Sequence, residues 1–376
     1  MLLIPDIVLA AWRAYGDRRD LVGVQEISVN VSTNHVYRLQ LSDRKEFIAK
    51  VSSYGSFVHF RQDHQRIQQW SAMLQNSGFR DFLARVAERE QTPGPDARPH
   101  SPARGAERQR DKVAFVFEQG HRWVAFYHKV PFYDFLPPRL SDLEIASFGR
   151  NLASFHKASL RAAGHLNPTW KSVGSDIAAL YEALGSSDWR RERGIADAQQ
   201  HVLQRHCDAF LENTERLGYY DWPKLPILID WNPGNFSVGY DSTGFRFFSR
   251  WDYDWFRIEP RLFDFYFASR VVRDSGDQTV FSYTTEPLTE PRFVAFLSAY
   301  HAVYPLTEPE ILYLKEAYRF FVLNYVVHVG EHFFRPSLWT RLMQEALDEY
   351  LPSLDRLDLR GVVAAVLDRP VSEPVA

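Results

Sequence analysis

Apolar residues change their spacing partway along this chain, and that change limits the fold more than any other feature. Before residue 131 they come in short β-branched and aromatic runs, HVYRLQL (35–41), EFIAKVSS (46–53) and VAFVFEQGHRWVAFYHKV (113–130), the side-chain types that fit a pleated surface. The first two, joined by LSDRK, predict a hairpin, and the third predicts two strands around a Gln119-Gly120 turn. Between them, Phe60, Ile67, Trp70 and Leu74 fall near one stripe of a helix running from Phe57 to about Asn76. Past residue 140 the helical period takes over. Ser141-Asp142-Leu143-Glu144 is a capping box, and Ile145, Phe148, Leu152 and Phe155 follow on one helical face. Charged helices are expected over 176–217 and amphipathic ones over 291–354. LPILIDW (225–231) and FRFFSRWDYDW (245–255) interrupt them as a small strand pair.

Strands with one helix, followed by a mostly helical region, predict an α+β chain of two lobes. A small β-rich N-terminal lobe is expected over 1–131 and a larger, mostly helical C-terminal lobe over 132–376. Residues 88–112 carry no apolar side chain larger than alanine, cannot offset their ordering entropy by burial, and are read as a flexible insertion. With 45% apolar residues there is ample material for a core. Lys and Arg number 44 against 47 Asp and Glu, a net charge of −3 that argues against a nucleic-acid partner. Cys207 is the only cysteine, which excludes an internal disulfide and suits a reducing compartment. The opening MLLIPDIVLAAW lacks the basic start and cleavage site of a signal peptide, and no uninterrupted apolar run could span a bilayer. A cytoplasmic setting without a membrane partner is expected.

Chemistry concentrates in Ile229-Asp230-Trp231-Asn232-Pro233-Gly234-Asn235. An Asp stands five positions before an Asn, and Pro-Gly enforces a turn between them. Phosphoryl transfer uses this D-x-x-x-x-N spacing: the carboxylate orients the attacking hydroxyl and accepts its proton, while the amide oxygen helps hold magnesium. Ordinary surface turns use the same residue types, so the spacing needs company. Asp252, in the aromatic run SRWDYDWF, supplies a second carboxylate where burial asks for a partner such as a metal. Lys50, on the second strand of the early hairpin, supplies a cation able to reach phosphates.

Lys50 in FIAKV, the loop LIDWNPGN, and Asp252 twelve positions before Asp264 in WDYDWFRIEPRLFD together resemble the aminoglycoside phosphotransferase and choline kinase-like family, whose fold is similar to the protein kinases. The resemblance extends over residues 20–350 and implies a two-lobed protein-kinase-like fold. It implies Asp230 as catalytic base, Asn235 and Asp252 as magnesium ligands, Lys50 as the phosphate-contacting lysine and Asp264 as a structural carboxylate. Ser32, Thr33 and Asn34 resemble the family's phosphate-covering turn, and Asp63 stands in for the glutamate that usually partners the lysine. The implied activity is transfer of the γ-phosphoryl group of ATP, with Mg2+, to a hydroxyl of a small acceptor: an aminoglycoside-like antibiotic, amino alcohol, sugar or similar metabolite.

The chain departs from that pattern in three places. Leu228-Ile229 replaces the family's His-Gly, the glutamate after Lys50 is missing, and Arg250-Trp251 adds bulk and charge before Asp252. These departures define a second function class, a catalytically impaired kinase-like protein that binds nucleotide or another ligand. A third class, a zinc hydrolase, is spelled by His328, Glu331 and His332 as H-x-x-E-H, but it leaves Lys50, Asp230, Asn235 and Asp252 without a role. Glu331, Asp254 and Glu259 suggest an acceptor bearing an amine.

Overall fold

The computed structural model describes residues 5–28, 32–90, 112–276 and 282–368. They form two compact units: the described residues up to Ala72 with Ala84–Lys129, and Met73–Leu83 with those from Val130 onward. The short segment 73–83 therefore crosses a division drawn linearly at residue 131. Phe79 and Phe82 pack edge-on against Phe155 of the second unit, at 5.2 and 5.1 Å between ring centres.

The first unit holds helix α1 (Asp6–Tyr15), strands β1 (Leu21–Glu26), β2 (His35–Leu41) and β3 (Glu46–Ser52), helix α2 (Phe57–Met73), and strands β4 (Glu88–Glu90), β5 (Lys112–Ala114), β6 (Val116–Gln119) and β7 (Arg122–His128). Five strands form one antiparallel sheet in the order β1-β2-β3-β7-β6. Strand alternation sends Phe47, Ala49 and Val51 to one face, where they share a buried core with Val8, Ala11 and Trp12 of α1. Ile48, Lys50 and Ser52 take the opposite face. There Tyr127, the register partner of Ile48, is hydrogen-bonded to His64 of α2 at 2.5 Å. The hairpin, the helix after it and the turn at Gly120 (φ +64°) match the expectation from sequence.

The expected insertion over 88–112 is shorter at its ends. Glu88–Glu90 and Lys112–Ala114 pair as β4 and β5, in register Glu88↔Ala114 to Glu90↔Lys112, because a backbone ladder needs no apolar side chains. The remainder, 91–111, lies outside the described residues.

The second unit contains α3 (Asp142–Ala163), α4 (Val173–Gly185), α5 (Ser187–Glu192), α6 (Asp197–Arg216), β8 (Leu225–Ile227), β9 (Phe236–Asp241), β10 (Gly244–Arg250), β11 (Arg257–Glu259), α7 (Phe265–Val272), α8 (Pro291–Val303) and α9 (Glu308–Phe320), followed by a wide π-helical run over Phe321–His328 and further helices. Ser141 and Glu144 close the capping box at the start of α3. This helix lies so close to α8 that a Cβ on Gly149 would sit 2.5 Å from the Phe296 carbonyl oxygen, so only glycine fits. Phe148 and Phe155 of α3 meet Trp231, Phe236 and Phe247 in one aromatic core. No described helix is long and apolar enough to cross a membrane.

The single strand pair expected from 225–231 and 245–255 is replaced by two. β8 pairs with β11, and β10 pairs with β9, a strand over 236–241 that the sequence reading passed over. The first apolar run stops being a strand at Ile227, because Asp230, Pro233 and Gly234 turn the chain. The hairpin β9–β10 then forms locally and is nested between β8 and β11.

Candidate active site

Nesting one antiparallel pair inside the other places two loops side by side: 228–235, leaving β8, and 251–256, entering β11. The Trp251 N–H donates to the Asn235 carbonyl at 3.0 Å. Between the loops lies the wholly buried Arg250 side chain. Its Nη2 donates to the Asp230 carbonyl (2.7 Å), and its Nη1 donates to the carbonyls of Asn235 (2.8 Å) and Trp251. One guanidinium thus fixes the backbones of Asp230, Asn235 and the residue before Asp252. Arginine suits this role because its planar fork keeps its charge and several donors in fixed directions.

Asp230 is partly buried. Its Oδ1 accepts from the Asn232 N–H (3.1 Å) and from the Asn232 side-chain amide (2.6 Å). Burial pushes its carboxyl above the usual carboxylate range. Arg250 opposes that rise, and the nearby Asp252 carboxylate adds to it. The two aspartates are therefore electrostatic neighbours. Asn235 closes a one-turn 3₁₀ segment, Pro233–Asn235, and its N–H donates to the Asn232 carbonyl at 2.9 Å.

Backbone strain marks both loops. Ile229 has φ +61°, in the left-handed region that a β-branched residue rarely occupies, and Asp252 has φ +70°, which aspartate tolerates better. Leu228-Ile229 thus keeps the turn that a His-Gly pair would make more easily. What holds it is Asp264, fully buried, whose Oδ1 accepts from the amides of Leu228 (3.1 Å) and Ile229 (2.5 Å). Its Oδ2 accepts from His156 Nε2 at 2.8 Å, and His156 Nδ1 accepts from the Tyr300 hydroxyl at 2.7 Å. Burial pushes the His156 imidazole down, so it stays neutral and carries its proton on Nε2. Sequence reasoning found Asp264 but missed His156 and Tyr300, and it took Arg250 for added bulk.

The other expected residues lie in the first unit. Lys50 is buried on β3, with Val36 and Ala125 as its register partners. It faces α2, where burial and then the Lys50 charge hold His64 down at about 4. Asp63, next to His64, is ion-paired with Arg66 at 2.9 Å. Ser32, Thr33 and Asn34 form the turn before β2, in which Ser32 Oγ accepts the Asn34 N–H at 3.1 Å.

The H-x-x-E-H spelling has no zinc-site geometry. The helix ends at His328, Glu331 is ion-paired with Arg193, and no cluster of three or more His, Cys, Asp or Glu suited to a metal occurs among the described residues. Glu259 is likewise engaged, accepting from Tyr219 Oη (2.5 Å) and the Val173 N–H (3.1 Å) and pairing with Lys224 (3.0 Å). Two of the three carboxylates that suggested an amine-bearing acceptor are thus already occupied.

No family model matches the sequence, and neither does any curated protein. Solved structures match it across nearly its whole length. An amicoumacin kinase in complex with AMP-PNP, Ca2+ and Ami is 12% identical, with 92% of this chain and 94% of that one covered and a TM-score of 0.58. A microcompartment-associated aminopropanol kinase is 17% identical, with 95% and 99% covered and a TM-score of 0.55. An aminoglycoside phosphotransferase with ADP bound is 11% identical, with 92% and 98% covered and a TM-score of 0.50. The chain has the aminoglycoside phosphotransferase fold. Within this phosphotransferase fold, the paired loops and their arginine clamp are built entirely from the second unit.

Proposed function

We propose that this chain is an ATP-dependent phosphotransferase that moves the γ-phosphoryl group to a hydroxyl of a small molecule in the cytoplasm. The observation that supports the reading is that Asp230, Asn235 and Asp252 stand on two adjoining loops whose backbones are clamped by Arg250. The fold, shared with kinases of aminopropanol and amicoumacin, supports it.

In this reading Asp230 orients the acceptor hydroxyl and takes its proton as the acceptor oxygen bonds to phosphorus and the bond to the ADP oxygen breaks. Asn235 and Asp252 offer two hard oxygen donors. This partial shell fits Mg2+, which keeps several waters and shares its ligands with phosphates. When bound, Mg2+ neutralises charge on the transferring group. Lys50 contacts the phosphates, Asp63 helps orient that lysine, and the Ser32-Thr33-Asn34 turn covers them. Rigid placement of Asp230 through Arg250 and Asp264 contributes by holding the acceptor in line.

A melting-temperature titration with ATP, with and without Mg2+, combined with an ADP-release assay over small alcohols, tests the proposal. Asp230→Ala should keep the nucleotide-dependent rise in melting temperature and lose turnover by about 10²–10⁴-fold. Unchanged turnover removes Asp230 from its role. Asp252→Asn should weaken the Mg2+ dependence of the ATP shift. The left-handed Ile229 keeps a second reading in play, a nucleotide-binding protein without catalysis. It predicts the Mg-ATP shift with no ADP release for any acceptor.

A further inference from the structure

α7 starts at Phe265, directly after the carboxylate that ties down Leu228 and Ile229, and every one of its eight residues is buried. A helix without a solvent face should be apolar all round. This one carries a single charged residue, Arg270, whose side chain is more than nine-tenths buried. Among the described residues its Nε and Nη1 have no hydrogen-bond partner and it forms no ion pair. The other buried arginines of this unit are bonded: Arg250 to three carbonyls, Arg257 to Asp176 and Tyr325, Arg261 to Glu310, and Arg319 to Glu316 and His206.

The surroundings of Arg270 stabilise the cation without using its donors. Its guanidinium carbon lies 5.0 Å from the Tyr283 ring centre and 5.5 Å from that of Phe267. Phe267 in turn packs on Trp255 at 5.5 Å, three residues past Asp252. Arg270 and Asp230 are within electrostatic reach of each other and of Tyr283. Burial raises the Asp230 carboxyl, and Arg270 is among the charges that oppose the rise. Burial likewise raises the Tyr283 phenol, which Arg270 lowers and Asp230 raises. A buried guanidinium with idle donors, within electrostatic reach of the residue that handles the acceptor hydroxyl, calls for an acceptor oxygen with negative charge.

We propose that Arg270 is the acceptor-recognition residue, and that the acceptor is an alcohol carrying an oxyanion, a carboxylate or a phosphate, which Nη2 engages together with one of the idle donors on either side of it, Nε or Nη1, while its hydroxyl faces Asp230. This rests on the phosphotransferase reading and narrows it, replacing the amine-bearing acceptor with an anionic one. Guanidinium and oxyanion match in geometry, two parallel N–H···O bonds, as a lysine would not.

The test is an ADP-release assay comparing matched alcohols: glycerate and glycerol 3-phosphate as oxyanion acceptors, glycerol as the neutral one, ethanolamine and choline as cationic ones. An oxyanion alcohol should exceed the neutral one in kcat/KM by about 100-fold, the scale of a charge-assisted bidentate contact. Whichever of glycerate and glycerol 3-phosphate is preferred names the oxyanion. Arg270→Gln should bring that ratio close to one, and Arg270→Lys, which keeps the charge, should retain part of it. A preference for neutral or cationic alcohols, or an unchanged ratio in Arg270→Gln, overturns the assignment. If Arg270→Gln does not fold, the wild-type preference and Arg270→Lys decide. If Mg-ATP neither binds nor yields ADP with any alcohol, the phosphotransferase reading has failed. Calorimetric titration of the intact protein with glycerate and with inorganic phosphate then tests Arg270 separately: binding that is weakened in Arg270→Lys supports the oxyanion site, and binding unchanged in that variant or absent in wild type overturns it.

Discussion

Replacing Asp264 offers the sharpest check on how the strained loop is held. Its carboxylate receives N–H groups from Leu228, Ile229 and His156, all inside the fold. Asp264→Ala removes every acceptor at once and leaves three donors facing a void. Leaving a buried donor unpaired costs about 1–3 kcal/mol, so three of them, partly relaxed, cost about 3–5 kcal/mol. Letting Ile229 leave its left-handed conformation returns about 1–2 kcal/mol, so the net loss should be near 3 kcal/mol. Asp264→Asn should behave differently. The introduced carbonyl oxygen can still accept from both amides, and its NH2 can donate to His156 once the imidazole moves its proton to Nδ1 and donates to Tyr300. A smaller loss, about 1–2 kcal/mol, is expected, because all three charge-assisted bonds survive as neutral ones. Hydrogen exchange at the Leu228 and Ile229 amides reads the local effect, and the melting temperature reads the global one. Protection should vanish in the alanine variant and persist in the asparagine variant. Equal effects of the two changes, or undiminished protection in Asp264→Ala, would show that the carboxylate does not hold this turn.

Two further consequences are open to measurement. Because burial raises the Asp230 carboxyl, kcat/KM should fall on acidification through a pKa above the ordinary aspartate value of 3.8, and an acid limb at or below that value contradicts the site's electrostatics. The same shift has an opposite sign for stability. The fold prefers the protonated form, so this group's contribution grows as pH falls through the raised pKa and is absent at neutral pH. Gly149→Ala should lower the melting temperature by an amount worth about 1–3 kcal/mol, since backbone atoms of α8 occupy the space its Cβ needs and overpacking outweighs the helix-propensity gain. An unchanged or raised melting temperature would refute the close approach of α3 and α8.

How much of this molecule could be read from its residues depended on range. The hairpin at 35–52, the helix beginning at Phe57 and the capped helix from Asp142 follow from alternation, period and a four-residue cap, all of which are short-range. The D-x-x-x-x-N spacing was legible for the same reason, because Pro233 and Gly234 decide locally how Asp230 and Asn235 are separated. Strand pairing was misread where two apolar runs of similar character competed. β8 finds β11 across the whole hairpin β9–β10, and no local signal distinguishes that pairing from a simpler one.

Arg250 illustrates the limit most clearly. In the sequence it is a charge among aromatics, out of place until its three carbonyl partners, fifteen and twenty residues earlier and one later, close around it. His156 and Tyr300 likewise gain meaning only from Asp264, more than a hundred residues from one and thirty-six from the other. What the residues determined on their own were elements, turns and the chemical types available for phosphate chemistry, since those depend on neighbours a few positions away. Tertiary structure alone decided which carbonyls a buried cation would satisfy, which backbone positions would be held at positive φ, and which arginine would keep its donors idle, because each of these is set by atoms brought together only when distant segments pack.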